Sequence, residues 1–228
     1  MRQLPLGLVP EPSSTFGSFL PGPNTEALAL LSALVPPVAP LYLWGPTGSG
    51  RTHLLRALAG ACLDRGGRVL WLEPASASAW SVPPEVMLIV LDDVHRLSPA
   101  RQQEAFAVMV EAQSHGIPWA ASGDAPPVDL ELRDDLRSRL AWGHVFGLRP
   151  LDEDQTRAVL RREADRRGLR LSDEVMDYLL HRFARDLSSL MRWLDRLDEF
   201  SMSRARAVTV PLLRQLLAEA PEATEREA

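Results

Sequence analysis

The chain has 228 residues, 46% of them hydrophobic, which is enough for one large domain with a smaller one beside it and excludes global disorder. The formal net charge of −5 excludes the basic face that autonomous DNA binding requires, so we expect contact with DNA to be indirect only. Cys62 is the single cysteine and excludes an internal disulfide, and no apolar run is long enough to span a bilayer, so we expect a cytoplasmic protein with no membrane partner.

The predicted elements begin after a leader. Residues 1–15 are rich in Pro and Ser without periodicity, which indicates a flexible segment. Asn24 is a predicted helix N-cap, and Pro36 marks the end of that helix. A short apolar strand at 41–44 follows, and a Gly-rich turn leads from it into a helix over about 50–65.

Four further strands alternate with helices. The segment 86–91 is apolar on both faces, as is typical of the middle of a parallel sheet covered by helices. The other strands are expected at 68–72, near 117–121 and at 145–148, and the helix is expected at 99–115. The alternation predicts an α/β fold with a doubly wound, parallel, five-stranded sheet in a domain over residues 16–150.

The pattern changes after Pro150. Residues 151–219 show only helical periodicity, which predicts a small C-terminal all-α domain. Residues 220–228 are polar and acidic, and we expect a disordered tail there.

An octapeptide between the first strand and its helix carries the clearest chemistry. It reads Gly45, Pro46, Thr47, Gly48, Ser49, Gly50, Arg51, Thr52 and matches G-x-x-x-x-G-K-[ST] except that Arg51 replaces the lysine. Glycines let backbone N–H groups surround phosphates, the helix N-terminus favours an anion, and the Thr52 hydroxyl is a candidate Mg²⁺ ligand. The motif therefore predicts a nucleotide-phosphate site.

Arg51 has two interpretations. All 25 residues of the Lys+Arg count are arginine, so the substitution could reflect a general bias and leave function intact. The other interpretation, which we favour, is that a planar guanidinium fork cannot replace a compact ammonium between the β- and γ-phosphates. The site would then bind nucleotide but hydrolyse it weakly at most.

Two acids follow the apolar strand 86–91. In a P-loop site Asp92 would hold Mg²⁺ through water and Asp93 would orient the attacking water. The alternative is an ordinary Asp-Asp turn. The order of the Gly-rich loop and this acidic pair along the chain favours the first interpretation.

Four sequence blocks together resemble the DnaA-like AAA+ family. They are Phe16…Phe19…Gly22…Asn24, the run from Leu43 to Leu54 that contains the Gly-rich loop, Val90-Leu91-Asp92-Asp93-Val94, and Ser138-Arg139-Leu140-Ala141-Trp142-Gly143. The resemblance covers about residues 13–219 and implies an AAA+ P-loop NTPase fold with an α-helical lid. It includes neither the N-terminal nor the helix-turn-helix domain of DnaA, so we do not expect DNA reading. Together with Arg51, this pattern is similar to the Hda branch of the family.

The resemblance implies roles for several residues. Arg139 matches the arginine finger, which acts in trans on a neighbouring subunit's ATP. The alternative is that Arg139 is a solvated arginine on a charged helix. Arg137 is the nearest other candidate for the finger. Arg185 matches the lid arginine, sensor 2, and Asp124 matches sensor 1, although a simple turn aspartate explains Asp124 nearly as well. His53 directly follows Thr52 and is therefore a candidate for contact with the nucleotide. The alternative, which is the simpler one, is that His53 packs on the surface of its helix.

The leader contains a candidate docking peptide. Gln3, Leu4, Leu6 and Leu8 have the Q-L-x-L-x-L spacing of bacterial sliding-clamp ligands. Such a peptide binds in an extended form, with Gln3 hydrogen-bonded and Leu6 and Leu8 in an apolar pocket. An ordinary leader is the alternative. The resemblance favours binding to the β subunit, the DNA polymerase III sliding clamp.

The favoured function is that of an Hda-like regulator of chromosome replication initiation. It would dock on the DNA-loaded clamp, hold ADP or ATP with Mg²⁺, and present Arg139 to ATP bound by DnaA. Docking on the clamp would place it at the nucleoid, and the resemblance also allows a nucleotide-dependent homodimer. A self-sufficient DnaA-like ATPase that loads or targets a replication partner is the alternative, and a nucleotide-gated anchoring protein is a third hypothesis.

Overall fold

The computed structural model describes residues 14–33, 39–76, 78–183, 187–204 and 208–219. The chain divides into two compact units between Pro150 and Leu151. The predicted clamp-binding residues Gln3, Leu4, Leu6 and Leu8 and the predicted sensor 2 residue Arg185 lie outside the described residues.

A five-stranded parallel sheet forms the centre of the first unit. Its strands are β1 Leu41–Trp44, β2 Arg68–Leu72, β3 Val86–Leu91, β4 Trp119–Gly123 and β5 His144–Gly147, in the spatial order β2-β3-β4-β1-β5. All neighbouring pairs are parallel. The expected five-stranded parallel sheet is therefore confirmed.

Four helices accompany the sheet: α1 Thr25–Ala33, α2 Arg51–Leu63, α3 Pro99–Ser114 and α4 Asp134–Leu140. Side chains that alternate along the strands pack on opposite faces. Tyr42 and Ile89 belong to a core that includes Ala105 and Val108 of α3, whereas Leu43 and Val90 belong to a second core with residues of α2. Both faces are covered, which explains why β3 is apolar along almost its whole length.

Two predicted details differ in the structure. The fourth strand begins at Trp119 rather than near Ile117, because Pro118 has no backbone N–H to donate within a central strand. Asn24 does not serve as a simple helix cap. Its amide nitrogen donates to the Arg149 carbonyl oxygen at 2.8 Å and its amide oxygen accepts from the Arg149 N–H at 2.8 Å, so this buried side chain holds the segment after β5.

Strand register places three chain segments at one edge of the sheet. Trp44 at the end of β1 pairs with Gly123 at the end of β4, and Leu91 at the end of β3 pairs with Ala121. The Gly-rich loop follows β1, the acidic pair follows β3, and Asp124 follows β4. Since parallel strands end on the same side, all three segments meet there, as ligand sites of open α/β sheets do.

The second unit contains α5 Glu153–Arg166, α6 Asp173–Phe183, α7 Leu187–Arg204 and α8 Val210–Glu219. Asp152 and Gln155 form a capping box at the start of α5, each side chain bonding the other's backbone N–H. Apolar residues of all four helices, among them Leu160, Leu179, Leu194 and Leu213, form its core. The predicted all-α C-terminal domain is confirmed as a fold. No helix in the described ranges combines the length and apolarity needed to cross a membrane.

Candidate nucleotide site

The Gly-rich loop joins the end of β1 to the start of α2. Gly48 and Gly50 have φ values of +80° and +94°, a region that glycine adopts without the clash a Cβ would cause. A Cβ on Gly50 would lie 2.5 Å from the Phe19 ring, so Phe19 packs directly on the loop. Because the loop ends at the N-terminus of a 13-residue helix, its backbone N–H groups are suited to an anion.

Arg51, the residue that replaces the motif lysine, is the first residue of α2 and only 9% exposed. Its guanidinium donates from Nη1 to the Gly45 carbonyl oxygen at 2.8 Å and from Nη2 to Asp93 Oδ1 at 3.2 Å. The planar fork therefore ties the base of the loop to the acid after β3. An ammonium could not span both acceptors in this way.

Asp92 is held by two hydroxyl groups. Thr52 Oγ1 donates to Asp92 Oδ2 at 2.8 Å, and Ser122 Oγ of β4 donates to Asp92 Oδ1. Burial raises the pKa of the Asp92 carboxyl above its ordinary value, and the Asp93 charge adds to this while the two hydroxyl groups oppose it. Thr52 and Asp92 together offer hard oxygen ligands beside the Gly-rich loop, and Mg²⁺ prefers ligands of this kind.

Asp93 begins the turn Val94–Arg96 with a φ of +54°, an unusual conformation for a non-glycine residue. Its N–H donates to Ser122 Oγ at 3.0 Å. This conformation turns the carboxylate toward Arg51 rather than leaving it exposed in a simple turn. Backbone strain of this kind is concentrated at functional sites.

His95 is a site residue that sequence reasoning missed. Its Nδ1 lies 3.9 Å from Asp93 Oδ1 and 3.9 Å from Asp124 Oδ1. The histidine thus stands between the acid after β3 and the predicted sensor 1 residue after β4. Its place two residues after Asp93 was the only signal in the sequence, and that spacing alone does not indicate a direction for the side chain.

His53 faces the segment that precedes α1. Its Nε2 lies 3.0 Å from the Thr15 carbonyl oxygen and 3.3 Å from Ser18 Oγ, and its ring is tilted against Phe19 with 5.5 Å between centroids. The structure therefore shows His53 in a packing arrangement at the edge of the loop. Of the other loop residues, Ser49 is buried, and its Oγ has no hydrogen-bond partner among the described residues.

Tyr42 of β1 fixes the segment that follows β4 at the edge of the site. Its hydroxyl donates to the Ala125 carbonyl oxygen at 2.8 Å, which holds the chain just after Asp124. Burial raises the pKa of the Tyr42 phenol far above its ordinary value, and the nearby Asp124 charge raises it further, so the phenol stays neutral. A Cβ at Gly123 would collide with this hydroxyl, which explains the glycine at the end of β4.

Arg139, the predicted arginine finger, lies on α4 and its contacts are with α3. Its Nη1 donates to Gln113 Oε1 at 2.6 Å, and its Cζ lies 4.9 Å above the Phe106 ring. Arg137 on the same helix binds Asp134 instead. The structure therefore places Arg139 apart from the group formed by Arg51, Thr52, Asp92, Asp93, His95 and Asp124.

The strand order, the Gly-rich loop between β1 and α2, and the acidic pair after β3 define an AAA+ P-loop fold. Residues 152–217 match the family model described as Hda, lid domain. The chain therefore resembles Hda/DnaA-like AAA+ proteins in its fold, and residues 152–217 match the Hda lid in sequence as well.

Solved structures support the same fold. Domain III of the replication initiation protein DnaA from Thermotoga maritima superposes with a TM-score of 0.76 at 23% identity, covering 92% of this chain and 97% of that one. AMPPCP-bound DnaA from Aquifex aeolicus gives 0.67 at 22% identity, covering 84% and 67%. A variant of RuvB from Thermotoga maritima gives 0.64 at 15% identity, covering 90% and 72%.

Proposed function

We propose that this protein is an Hda-like regulator of chromosome replication initiation. In this proposal it binds ADP or ATP at the Gly-rich loop, docks on the sliding clamp through its leader, and stimulates hydrolysis of ATP bound to DnaA through Arg139. The match of residues 152–217 to the Hda lid domain is the observation that carries the proposal, because it separates this chain from other proteins with the same fold.

Nucleotide binding is supported by the geometry of the first unit. The loop glycines and the start of α2 offer backbone N–H groups to phosphates, and Thr52 and Asp92 offer oxygen ligands to Mg²⁺. When bound, Mg²⁺ would neutralise phosphate charge. DnaA from Aquifex aeolicus binds AMPPCP within the same fold. Arg51 forms an ion pair with Asp93, the residue that would orient an attacking water. This pairing favours retention of the nucleotide over its hydrolysis.

The action on DnaA depends on Arg139. Its guanidinium is held against α3 by the ring of Phe106 and by Gln113, and because both partners are neutral it can leave them for a phosphate. Arginine fingers supplied in trans raise hydrolysis rates by about 10³ to 10⁵. An Arg139→Ala variant should lose stimulation of DnaA hydrolysis with clamp and DNA present.

Arg137→Ala is the matched control for this experiment. Arg137 lies two residues away on the same helix and is engaged by Asp134. Stimulation by Arg137→Ala should remain near that of the wild type. Equal stimulation by Arg139→Ala and wild type would refute the arginine-finger role, and retained clamp binding without stimulation by the wild type would favour the anchoring hypothesis instead.

Clamp binding is tested through the leader. Gln3→Ala and removal of residues 1–8 should each abolish capture by the sliding clamp while the melting temperature is unchanged. The control is Arg2→Ala, which leaves the proposed hydrogen bond and apolar contacts intact. Capture that persists without residues 1–8 would contradict this part of the proposal.

A self-sufficient ATPase is the second candidate, and the candidate Mg²⁺ ligands Thr52 and Asp92 favour it. It predicts brisk steady-state hydrolysis by the protein alone and self-assembly that depends on Arg139. Tight binding of ADP with negligible turnover would support the regulator instead. A steady-state phosphate-release assay separates the two functions.

A further inference from the structure

The Asp93 carboxylate is at the centre of a small network. Its Oδ1 accepts from Arg51 Nη2 at 3.2 Å and lies 3.9 Å from His95 Nδ1. His95 Nδ1 is buried and has no hydrogen-bond partner among the described residues. It is also 3.9 Å from Asp124 Oδ1, so a small movement of the ring brings it within bonding distance of either carboxylate.

A phosphate bound in the Gly-rich loop would compete with Asp93 for Arg51. Arg51 is the cation that the motif supplies, and in the structure its fork is used by Gly45 and Asp93. If Arg51 turns toward a phosphate, it leaves Asp93, which is only partly exposed, without its cation. An unpaired carboxylate in such surroundings is unfavourable, so it needs another donor.

We infer that His95 is a positioning residue that takes over Asp93 when Arg51 turns to bind nucleotide phosphate. The inference rests on the proposed nucleotide binding. His95 Nδ1 carries the proton, moves the short distance to Asp93 Oδ1, and donates to it. The exchange frees Arg51 for the phosphate while Asp93 keeps a hydrogen-bond donor.

Asp124 is the other acceptor within reach and gives His95 a second position. Because Asp124 follows β4 and Asp93 follows β3, the movement of one ring between them links nucleotide occupancy to the end of β4. This assigns a physical role to Asp124, which the sequence could not distinguish from a simple turn residue.

A double-mutant cycle on the full chain tests the exchange. The affinity for ADP with Mg²⁺ is measured by calorimetry for the wild type, His95→Ala, Asp93→Asn and the double variant. We expect His95→Ala to weaken ADP binding about tenfold, because Asp93 is left without a donor. In the Asp93→Asn background the same change should alter the affinity by less than about twofold, since a neutral amide needs no cation.

Two conservative variants distinguish positioning from packing. The side-chain nitrogen of asparagine can stand where Nδ1 stands, whereas that of glutamine extends to the position of Nε2. His95→Asn should therefore restore most of the affinity and His95→Gln should not. His115→Ala is the matched control, because among the described residues His115 Nδ1 contacts Ser114 and Glu111 at the end of α3, and the variant should bind ADP like the wild type.

The outcomes separate this inference from the proposed function. An equal loss of affinity in both backgrounds, or no loss in His95→Ala, would overturn the role of His95 while nucleotide binding stands. Absence of ADP binding by the folded wild type would overturn both. Melting temperatures of all variants show whether a loss of affinity reflects a loss of fold.

Discussion

Arg51 shows how one residue changes the chemistry of a loop. The sequence left two interpretations of the replacement of lysine, a neutral drift and a weakened hydrolysis site. In the structure the guanidinium uses both arms of its fork on protein acceptors, Gly45 and Asp93. This arrangement supports the second interpretation, because the cation is engaged with Asp93, the acid that we propose would orient the attacking water.

Replacement of Arg51 by lysine should therefore increase intrinsic turnover. A lysine ammonium cannot hold both acceptors and is free to reach the phosphates as a point charge, so Arg51→Lys should raise ATP hydrolysis about tenfold. Steady-state phosphate release by the isolated protein measures the effect. Arg56→Lys, further along α2, is the control. Unchanged turnover in Arg51→Lys would instead favour neutral drift.

We expect Asp92 to make the free energy of unfolding depend on pH in the absence of nucleotide and Mg²⁺. Burial raises the pKa of this carboxyl in the folded state above the ordinary value of 3.8. Between the unfolded and folded pKa values the native state binds more protons, so the contribution of Asp92 to stability falls as the pH rises through that window. Asp92→Asn should remove this decline and raise the melting temperature at pH 7.

Thermal unfolding from pH 4 to pH 7 checks this expectation. Asp129→Asn, which removes a carboxylate from a turn outside the site, is the matched control. A lower melting temperature for Asp92→Asn than for the wild type at pH 7 would contradict the expected sign.

At the scale of elements, two glycines, one at the start of α2 and one within it, differ in whether the structure requires glycine. Gly50 has a φ of +94°, and a Cβ there would meet the Phe19 ring at 2.5 Å. Gly60 lies within α2, and a Cβ there would meet nothing within 4 Å. The first glycine is required by conformation and packing, whereas the second is not.

These two positions form a matched pair. Gly50→Ala should lower the free energy of unfolding by about 2 kcal/mol or more, because it adds backbone strain to a clash. Gly60→Ala should raise it by about 0.5 to 1 kcal/mol through helix propensity. Urea unfolding measures both, and an unchanged or raised free energy of unfolding for Gly50→Ala would show that Phe19 yields freely to the added methyl group.

At the scale of the whole molecule, the chain contains two units with separate cores. Leu88 belongs to one of the two cores of the first unit and Leu194 to the core of the second, and both are fully buried. Replacing a buried leucine by alanine in such a core lowers the free energy of unfolding by about 2–5 kcal/mol. Separate cores are expected to open as separate cooperative units.

Hydrogen exchange tests this division. Leu194→Ala should accelerate amide exchange in α5 to α8 and leave the amides of β3 at wild-type rates. Leu88→Ala is the reciprocal variant and should accelerate exchange in the sheet. Equal acceleration in both units by either variant would mean that the chain opens as one cooperative body.

The sequence by itself determined what depends on local patterns. Strand and helix alternation, the Gly-rich loop, and the acidic pair after an apolar strand are properties of neighbouring residues, so periodicity and spacing sufficed for the confirmed α/β fold with its helical second unit. Only the tertiary structure decided which side chains meet. Arg51 bonds Asp93 42 positions away, Asn24 bonds Arg149 125 positions away, and His95 lies between Asp93 and Asp124. The contacts of Arg51 and His95 depend on the register with which β1, β3 and β4 end at one edge, and that of Asn24 depends on where the segment after β5 runs. No local pattern specifies either.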